Sequence, residues 1–136
     1  MAVIQELICT QTDGTISFGN YQLDKKSKLE NFEHNGDLYK VKTFKEITKL
    51  ERNGMFVYES VPGTTVLNLN TLEDGVSFQV EGTEDAQITL GLEDETEYTV
   101  YVADNNVGRM KTNLSGKLSL SVELNEGILV SVRIEK

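Results

Sequence analysis

Residues 46–63, "EITKLERNGMFVYESVPG", decide between a mixed fold and an all-β fold for this chain. The first interpretation is a short helix. Thr43 and Glu46 form a T-x-x-E capping box at its start. The apolar side chains of Phe44, Ile47 and Leu50 recur at every third position, as on one face of a helix.

The second interpretation is a β-hairpin that turns at Asn53-Gly54. A helix here would have only about nine residues, which is marginal without tertiary contacts. The segments "FEHNGDLYKV" (32–41) and "LERNGMFVYE" (50–59) share an E-x-N-G motif followed by an apolar run. Because Asn-Gly suits the positive φ angles of two-residue hairpin turns, the repeated motif favours two hairpins. We therefore predict an all-β fold of antiparallel hairpins, with any helix confined to 24–33 or 44–52.

Strict alternation of apolar and polar residues continues towards the C-terminus. In "KLSLSVEL" (117–124), for example, Leu118, Leu120, Val122 and Leu124 fall on one face. We expect this segment to be central to the core. Turn dipeptides separate seven candidate strands at about 66–71, 75–81, 86–92, 97–103, 107–112, 117–124 and 128–135. Seven short strands of this kind predict a C-terminal immunoglobulin-like β-sandwich.

The domain organisation follows from a change in charge near the chain's one proline, Pro62. Residues 1–60 contain 8 basic and 9 acidic residues, a net charge of −1, whereas residues 61–136 contain 5 basic and 13 acidic, a net charge of −8. We predict a hairpin-rich region over 1–62 and the sandwich over 63–136. The alternative is one compact unit that includes both.

The net charge of −9 bears on the partners and the compartment of the protein. An acidic surface repels phosphate backbones and anionic lipids, so we expect neither nucleic-acid nor membrane binding. The N-terminal segment has no basic residue before its apolar stretch, unlike a secretory signal. A lone cysteine, Cys9, has no partner for an internal disulfide, and its apolar neighbours predict a small core residue. These features together predict a cytoplasmic protein.

The sequence carries no recognisable catalytic motif and no cofactor-binding fingerprint. Its one histidine, His34, lies beside Asn35-Gly36 and is predicted to sit in a surface turn. No second histidine is present to complete a zinc or catalytic pair with it. We therefore assign no catalytic residue and no cofactor-binding residue.

Acidic residues are concentrated in two predicted loops, "EGTEDA" (81–86) and "LEDETE" (92–97). Plain solvation of these loops is the simpler interpretation. The alternative is a Ca²⁺ site, since Ca²⁺ takes six to eight oxygen ligands and loops gather at the ends of a sandwich. The candidate ligands are Glu84, Asp85, Asp94, Glu95 and Asp104.

Tyrosines are the candidates for a glycan-binding surface. Sugar-binding sites present planar aromatic side chains, and the chain has five tyrosines and no tryptophan. Tyr101 alternates with the inward-facing Val100 and Val102, which predicts an outward orientation. We single out Tyr58 and Tyr101 as candidate ligand contacts, beside the simpler expectation that the tyrosines pack in the core or on a sheet surface.

The segments "DGTISFGNYQLDKKSKLENFEHNGDLYKVKTFKEITKLERNGMFVYESVPGTTV" (13–66) and "GKLSLSVELNEGILVSVRIEK" (116–136) resemble a group of short bacterial proteins labelled endosialidase. The resemblance implies a small glycan-processing enzyme or a β-rich accessory domain. Sialidases are similar to one another in an arginine triad and S-x-D-x-G-x-T-W boxes. Arg52, Arg109 and Arg133 are present here, but the boxes are not. The resemblance therefore assigns no catalytic residue, and we expect no activity on polysialic acid.

Three hypotheses for the function follow from these observations. The first is a non-enzymatic interaction or structural module that binds a protein partner or self-associates through exposed strand edges. The second is a carbohydrate-binding accessory module, marked by an aromatic row on one sheet face. The third is a small glycan-processing enzyme, marked by two carboxylates about 5–9 Å apart in a cleft.

Overall fold

The computed structural model describes residues 3–136, and all the regular structure in this range is β. The thirteen strands are β1 (Ile8–Thr10), β2 (Ile16–Phe18), β3 (Ser27–His34), β4 (Asp37–Phe44), β5 (Ile47–Arg52), β6 (Met55–Val61), β7 (Thr65–Leu72), β8 (Gly75–Glu81), β9 (Ala86–Gly91), β10 (Glu97–Val102), β11 (Asn105–Lys111), β12 (Lys117–Val122) and β13 (Val130–Glu135). The predicted all-β class is confirmed.

The strands form two antiparallel sheets. The seven-stranded sheet has the order β1-β2-β7-β8-β13-β10-β11, and the six-stranded sheet has the order β12-β9-β6-β5-β4-β3. Their inward side chains meet in one core. The Tyr58 ring of the six-stranded sheet makes edge contacts with Phe18 and Phe78 of the other sheet, at centroid distances of 5.3 and 5.8 Å.

The opening stretch forms a hairpin, as predicted. Strands β5 and β6 pair from Thr48 with Ser60 to Arg52 with Met55, and the chain turns between them at Asn53-Gly54. The φ angles are 52° at Asn53 and 79° at Gly54. Asn35-Gly36, between β3 and β4, has nearly the same pair of angles. The repeated E-x-N-G motif therefore marks two hairpin turns of one kind.

Residues 24–33, one of the two ranges left open for a helix, form no helix. Strand β3 covers most of this segment and pairs with β4, with an irregularity between Leu29 and Phe32. Because β3 is the outer strand of its sheet, Lys28, Leu29 and Glu30 are all exposed and leave no alternating pattern in the sequence. The alternative helix over 44–52 is likewise absent, since β5 (Ile47–Arg52) occupies most of this range.

Pro62 lies where the chain passes from β6 in one sheet to β7 in the other. Each sheet contains strands from both sides of this residue. Strands β9 and β12 complete a sheet whose other four strands come from residues before Pro62. The immunoglobulin-like sandwich expected for 63–136 alone is not confirmed, because the strands of this segment are divided five and two between the sheets.

Buried hydroxyl groups of the six-stranded sheet hold Thr64, in the connection between the two sheets. The Thr64 hydroxyl lies 2.7 Å from the hydroxyl oxygens of both Tyr58 and Ser60. The Thr48 hydroxyl donates to the Thr64 carbonyl oxygen at 2.7 Å and accepts from the Thr64 amide at 3.1 Å. Burial raises the pKa of the Tyr58 phenol, which therefore remains protonated as a hydrogen-bond donor. This network fixes the crossing by polar contacts inside the core.

Candidate functional site

The five acidic candidates for a Ca²⁺ site do not converge. Glu84 and Asp85 lie between β8 and β9, and Asp94 and Glu95 lie between β9 and β10, at the other end of the same strand. Six residues of β9 separate the two pairs, about 20 Å at 3.3 Å per residue. Within residues 3–136, no three acidic, histidine or cysteine side chains lie close enough to hold a metal ion.

We predict that Ca²⁺ and Mg²⁺ at equal ionic strength change the melting temperature equally. Carboxylates that are divided between the two ends of the molecule supply screening and no shared site. Thermal melts in chelator, CaCl₂ and MgCl₂ check this expectation. A Ca²⁺-specific stabilisation that is lost in Asp94→Asn but kept in Asp24→Asn would contradict it.

The two candidate tyrosines differ in their accessibility. Tyr58 is fully buried in the core and cannot contact a ligand at the surface. Tyr101 is half-buried on β10, and the Arg133 guanidinium stacks over its ring at 4.3 Å from the centroid. Tyr21, Tyr39 and Tyr98 are also buried. The structure therefore brings no tyrosine row to a sheet face among the described residues.

His34 was predicted in a surface turn, and this is wrong. It ends strand β3 and is 9 % exposed, with its Nδ1 atom 2.9 Å from the Thr10 hydroxyl and its Nε2 atom 3.2 Å from the Asn35 amide nitrogen. The imidazole therefore contacts β1 on one side and the following turn residue on the other. His34 thus links β3 to β1. These are the outer strands of the two sheets on one lateral side of the molecule, and the contact closes that side. The nearby Cys9 is half-buried, which raises its pKa.

A buried acid–phenol pair, which no sequence pattern predicts, lies at the end of β8. Glu81 is 2 % exposed and accepts a hydrogen bond from the Tyr21 hydroxyl at 2.5 Å. Burial, and secondly the bond to Glu81, raises the pKa of the Tyr21 phenol. Its position, enclosed by loops and away from the clefts described below, indicates a structural role.

A cleft of about 410 Å³ opens at one end of the two sheets, and its lining includes Arg52, Phe56, Glu73, Glu93, Tyr98 and Lys117. Glu93 is held in an ion pair by Lys136 at 2.8 Å. Glycoside hydrolysis by paired carboxylates needs two such groups working across one bond. Here one of the two lining carboxylates already has a cationic partner, so the cleft gives little support to that chemistry.

The other lateral side of the two sheets, formed by β11 and β12, is open. These strands end their sheets opposite β1 and β3. A cleft of about 450 Å³ separates them, and its apolar lining consists of Val102, Val107, Met110, Leu120, Val122 and Val130. Val107 is 51 % exposed. This side therefore combines two unpaired strand edges with apolar surface, the features of an association site.

The backbone of β12 is directed towards solvent at alternate residues. The Gly116 carbonyl accepts from the Leu92 amide, on the β9 side, whereas the Lys117 carbonyl accepts from Asn113 at 3.0 Å on the outer side. Backbone groups of alternate residues in an antiparallel strand point to the same side. Those of Ser119 and Ser121 therefore face the open edge, where no strand of the described chain pairs with them.

The side chains of β12 do not protect this edge. Its inward residues Leu118, Leu120 and Val122 are apolar and buried. On the outer face, Ser119 lies 3.0 Å from the Thr89 hydroxyl and Ser121 donates to Gln87, so both side chains are turned towards β9. Apart from Lys117 at its start, the strand has none of the features that usually block an edge, such as a proline, a bulge or an inward charge.

Comparisons with known proteins assign no function to this edge or to the chain. No family model, curated protein or solved structure matches it. Residues 3–136 also contain no helix that is long and apolar enough to cross a membrane. Functional inference therefore rests on the geometry of the chain itself.

Proposed function

We propose that the protein is a non-enzymatic interaction module that associates with a second copy of itself through the open edge of β12. The observation that carries this proposal is the self-complementary sequence of an unprotected edge strand. An antiparallel pairing of two copies centred on Leu120 places Lys117 opposite Glu123, Leu118 opposite Val122 and Ser119 opposite Ser121. The same contacts then occur twice about a two-fold axis, as in a closed symmetric dimer.

The backbone geometry agrees with this register. Ser119 and Ser121 direct their N–H and C=O groups to the edge, so each serine can exchange two hydrogen bonds with the other serine of the second copy. Leu120, at the centre, directs its backbone groups to β9. It therefore lies opposite Leu120 of the second copy without hydrogen bonds, as expected where hydrogen-bonded and non-hydrogen-bonded pairs alternate along an antiparallel ladder. The two six-stranded sheets would become one continuous sheet.

The charges at the two ends of β12 complement each other in this register, although Lys117 must turn from the Phe56 ring of β6 to reach the edge. Lys117 and Glu123 are exposed, and neither has an ion-pair partner within residues 3–136. Lys117 lies over the Phe56 ring, at 4.7 Å from its centroid. Opposite charges facing each other on adjacent strands are favourable, and like charges are not. A second copy supplies Glu123 to Lys117 and Lys117 to Glu123.

The test is a charge reversal followed by sedimentation analysis over a concentration series. We expect the wild-type chain to dimerise, and Lys117→Glu or Glu123→Lys to weaken the dimer about tenfold or more, because two like-charged pairs replace two opposite ones. The double variant K117E/E123K should dimerise again. A mixture of the two single variants should form a heterodimer.

Lys25→Glu is the matched control, because Lys25 is exposed and lies before β3, far along the sheet from β12. It makes the same charge change and should leave the dimer intact. A wild-type chain that remains monomeric up to millimolar concentration would contradict the proposal. So would charge-reversal variants that dimerise as well as the wild type does.

A further inference from the structure

Three lysines face one another on the outer side of the six-stranded sheet. Lys28 on β3 lies opposite Lys42 on β4, and Lys42 lies opposite Lys49 on β5. Side chains at opposite positions of adjacent strands have Cβ atoms about 4.5–5.5 Å apart. Three like charges are therefore held in one row, in a chain whose net charge is −9.

The carboxylates of the chain leave much of this row without a counter-charge. Lys28 and Lys42 form no ion pair within residues 3–136. Lys49 has two carboxylates near it, since it lies 4.0 Å from Glu51 and opposite Glu59 on β6, so the uncompensated charge is at Lys28 and Lys42. Burial, then the charges of Lys26, Lys49 and Lys28, lowers the pKa of the Lys42 amine. Directly opposed like charges cost stability. The folded chain therefore tolerates a local repulsion that a bound anion would remove.

The row also lines a small concave site. Lys28, Lys40, Lys42, Lys49 and Glu51 surround a volume of about 120 Å³. Lys40 is the fourth lysine, and it is paired with Glu30 at 3.5 Å. We propose that Lys28, Lys42 and Lys49 bind the phosphate group of a small soluble molecule. This inference is independent of the β12 dimer, since the row lies towards the opposite edge of the sheet.

The chemistry of the row selects this ligand class. A phosphate group carries close to two negative charges at neutral pH and three strong acceptor oxygens. Each lysine offers three rotatable N–H donors on a flexible stem, which suits a compact anion without fixed orientation. A long polyanion fits less well, because the acidic surface beyond the row would repel the rest of it.

The test compares thermal melts in inorganic phosphate, glycerol 3-phosphate and sodium chloride at equal ionic strength. A ligand that binds only the folded state raises the melting temperature by mass action. We expect a saturable rise with phosphate that chloride does not give. A rise with both phosphate compounds indicates that the phosphate group suffices. A rise with the monoester alone indicates that its glycerol part contributes to binding at the same row.

Lys42→Gln separates binding from folding. It removes the central charge, so the melting temperature in chloride should stay the same or increase, while calorimetry should show phosphate binding weakened at least about tenfold. Lys28→Gln, on the exposed outer strand, gives a second variant with the same expectation. Lys111→Gln on β11 is the control and should bind as the wild type does. Melts in inorganic phosphate and in glycerol 3-phosphate that both equal the melt in chloride, or unchanged affinity in both row variants, would overturn the proposal.

Discussion

Replacing Leu120 by alanine is expected to lower the free energy of unfolding by about 2–5 kcal/mol. Leu120 is 4 % exposed, and it points into the core from β12 together with Leu118 and Val122. Truncation removes apolar contacts and leaves a cavity that the two sheets can fill only in part. Chemical denaturation at low protein concentration in the Lys117→Glu background, which is designed to weaken the proposed dimer, measures the effect with the least contribution from association.

Ser121→Ala in the same background is the matched control. Ser121 is the next residue along the strand and points to the outer face, where its hydroxyl donates to Gln87 at 2.8 Å. Its loss should cost less than about 1 kcal/mol, as expected for an exposed hydrogen bond. If the two variants had similar effects, the assignment of the inward face would be wrong, because a one-residue slip exchanges the two faces of a strand.

The inward face of β12 is a part of the fold that the sequence predicts well. Leu118, Leu120, Val122 and Leu124 alternate with polar residues, and all four are buried. However, β12 is an outer strand, not a central one. Alternation reports which face of a strand meets the core. It contains no information about how many neighbours the strand has.

Strand β3 shows the limit of the same signal. Periodicity arises only where one face is buried, and most of β3 is exposed on both faces. The segment therefore carries no strand pattern in the sequence, which is why a helix is an open alternative for it there. His34 was misplaced for a related reason, since its burial depends on β1, which lies more than twenty residues earlier in the chain.

The candidate sites depend on pairing that the sequence does not reveal. Lys28, Lys42 and Lys49 are far apart in the chain, and only the register of three strands brings them into one row. The predicted Ca²⁺ site in the acidic loops shows the opposite case. Their residues are close in sequence, but β9 carries them to opposite ends of the molecule. Proximity in space is set here by strand pairing and not by local composition.

Thr64→Val is the second substitution for which we expect a large effect, about 2–4 kcal/mol of destabilisation. Valine keeps the shape of threonine but replaces its hydroxyl by a methyl group, which neither donates nor accepts a hydrogen bond. The Tyr58 and Ser60 hydroxyls then each lose a partner in a site that is closed to water. An unsatisfied buried group costs about 1–3 kcal/mol, which is why a change of one atom should rival the loss of a core side chain.

A double-mutant cycle with Tyr58→Phe distinguishes this explanation from a simple packing defect. In the double variant the hydroxyls of Thr64 and Tyr58 are both absent, so no unpaired Tyr58 hydroxyl is left in the core. The double variant should therefore be clearly more stable than the sum of the single effects predicts. The free energy of unfolding of the four proteins, measured by denaturant titration, gives the coupling directly. Strictly additive effects would mean that the hydroxyls contribute independently, and that the crossing at Thr64 is held by packing instead of by this network.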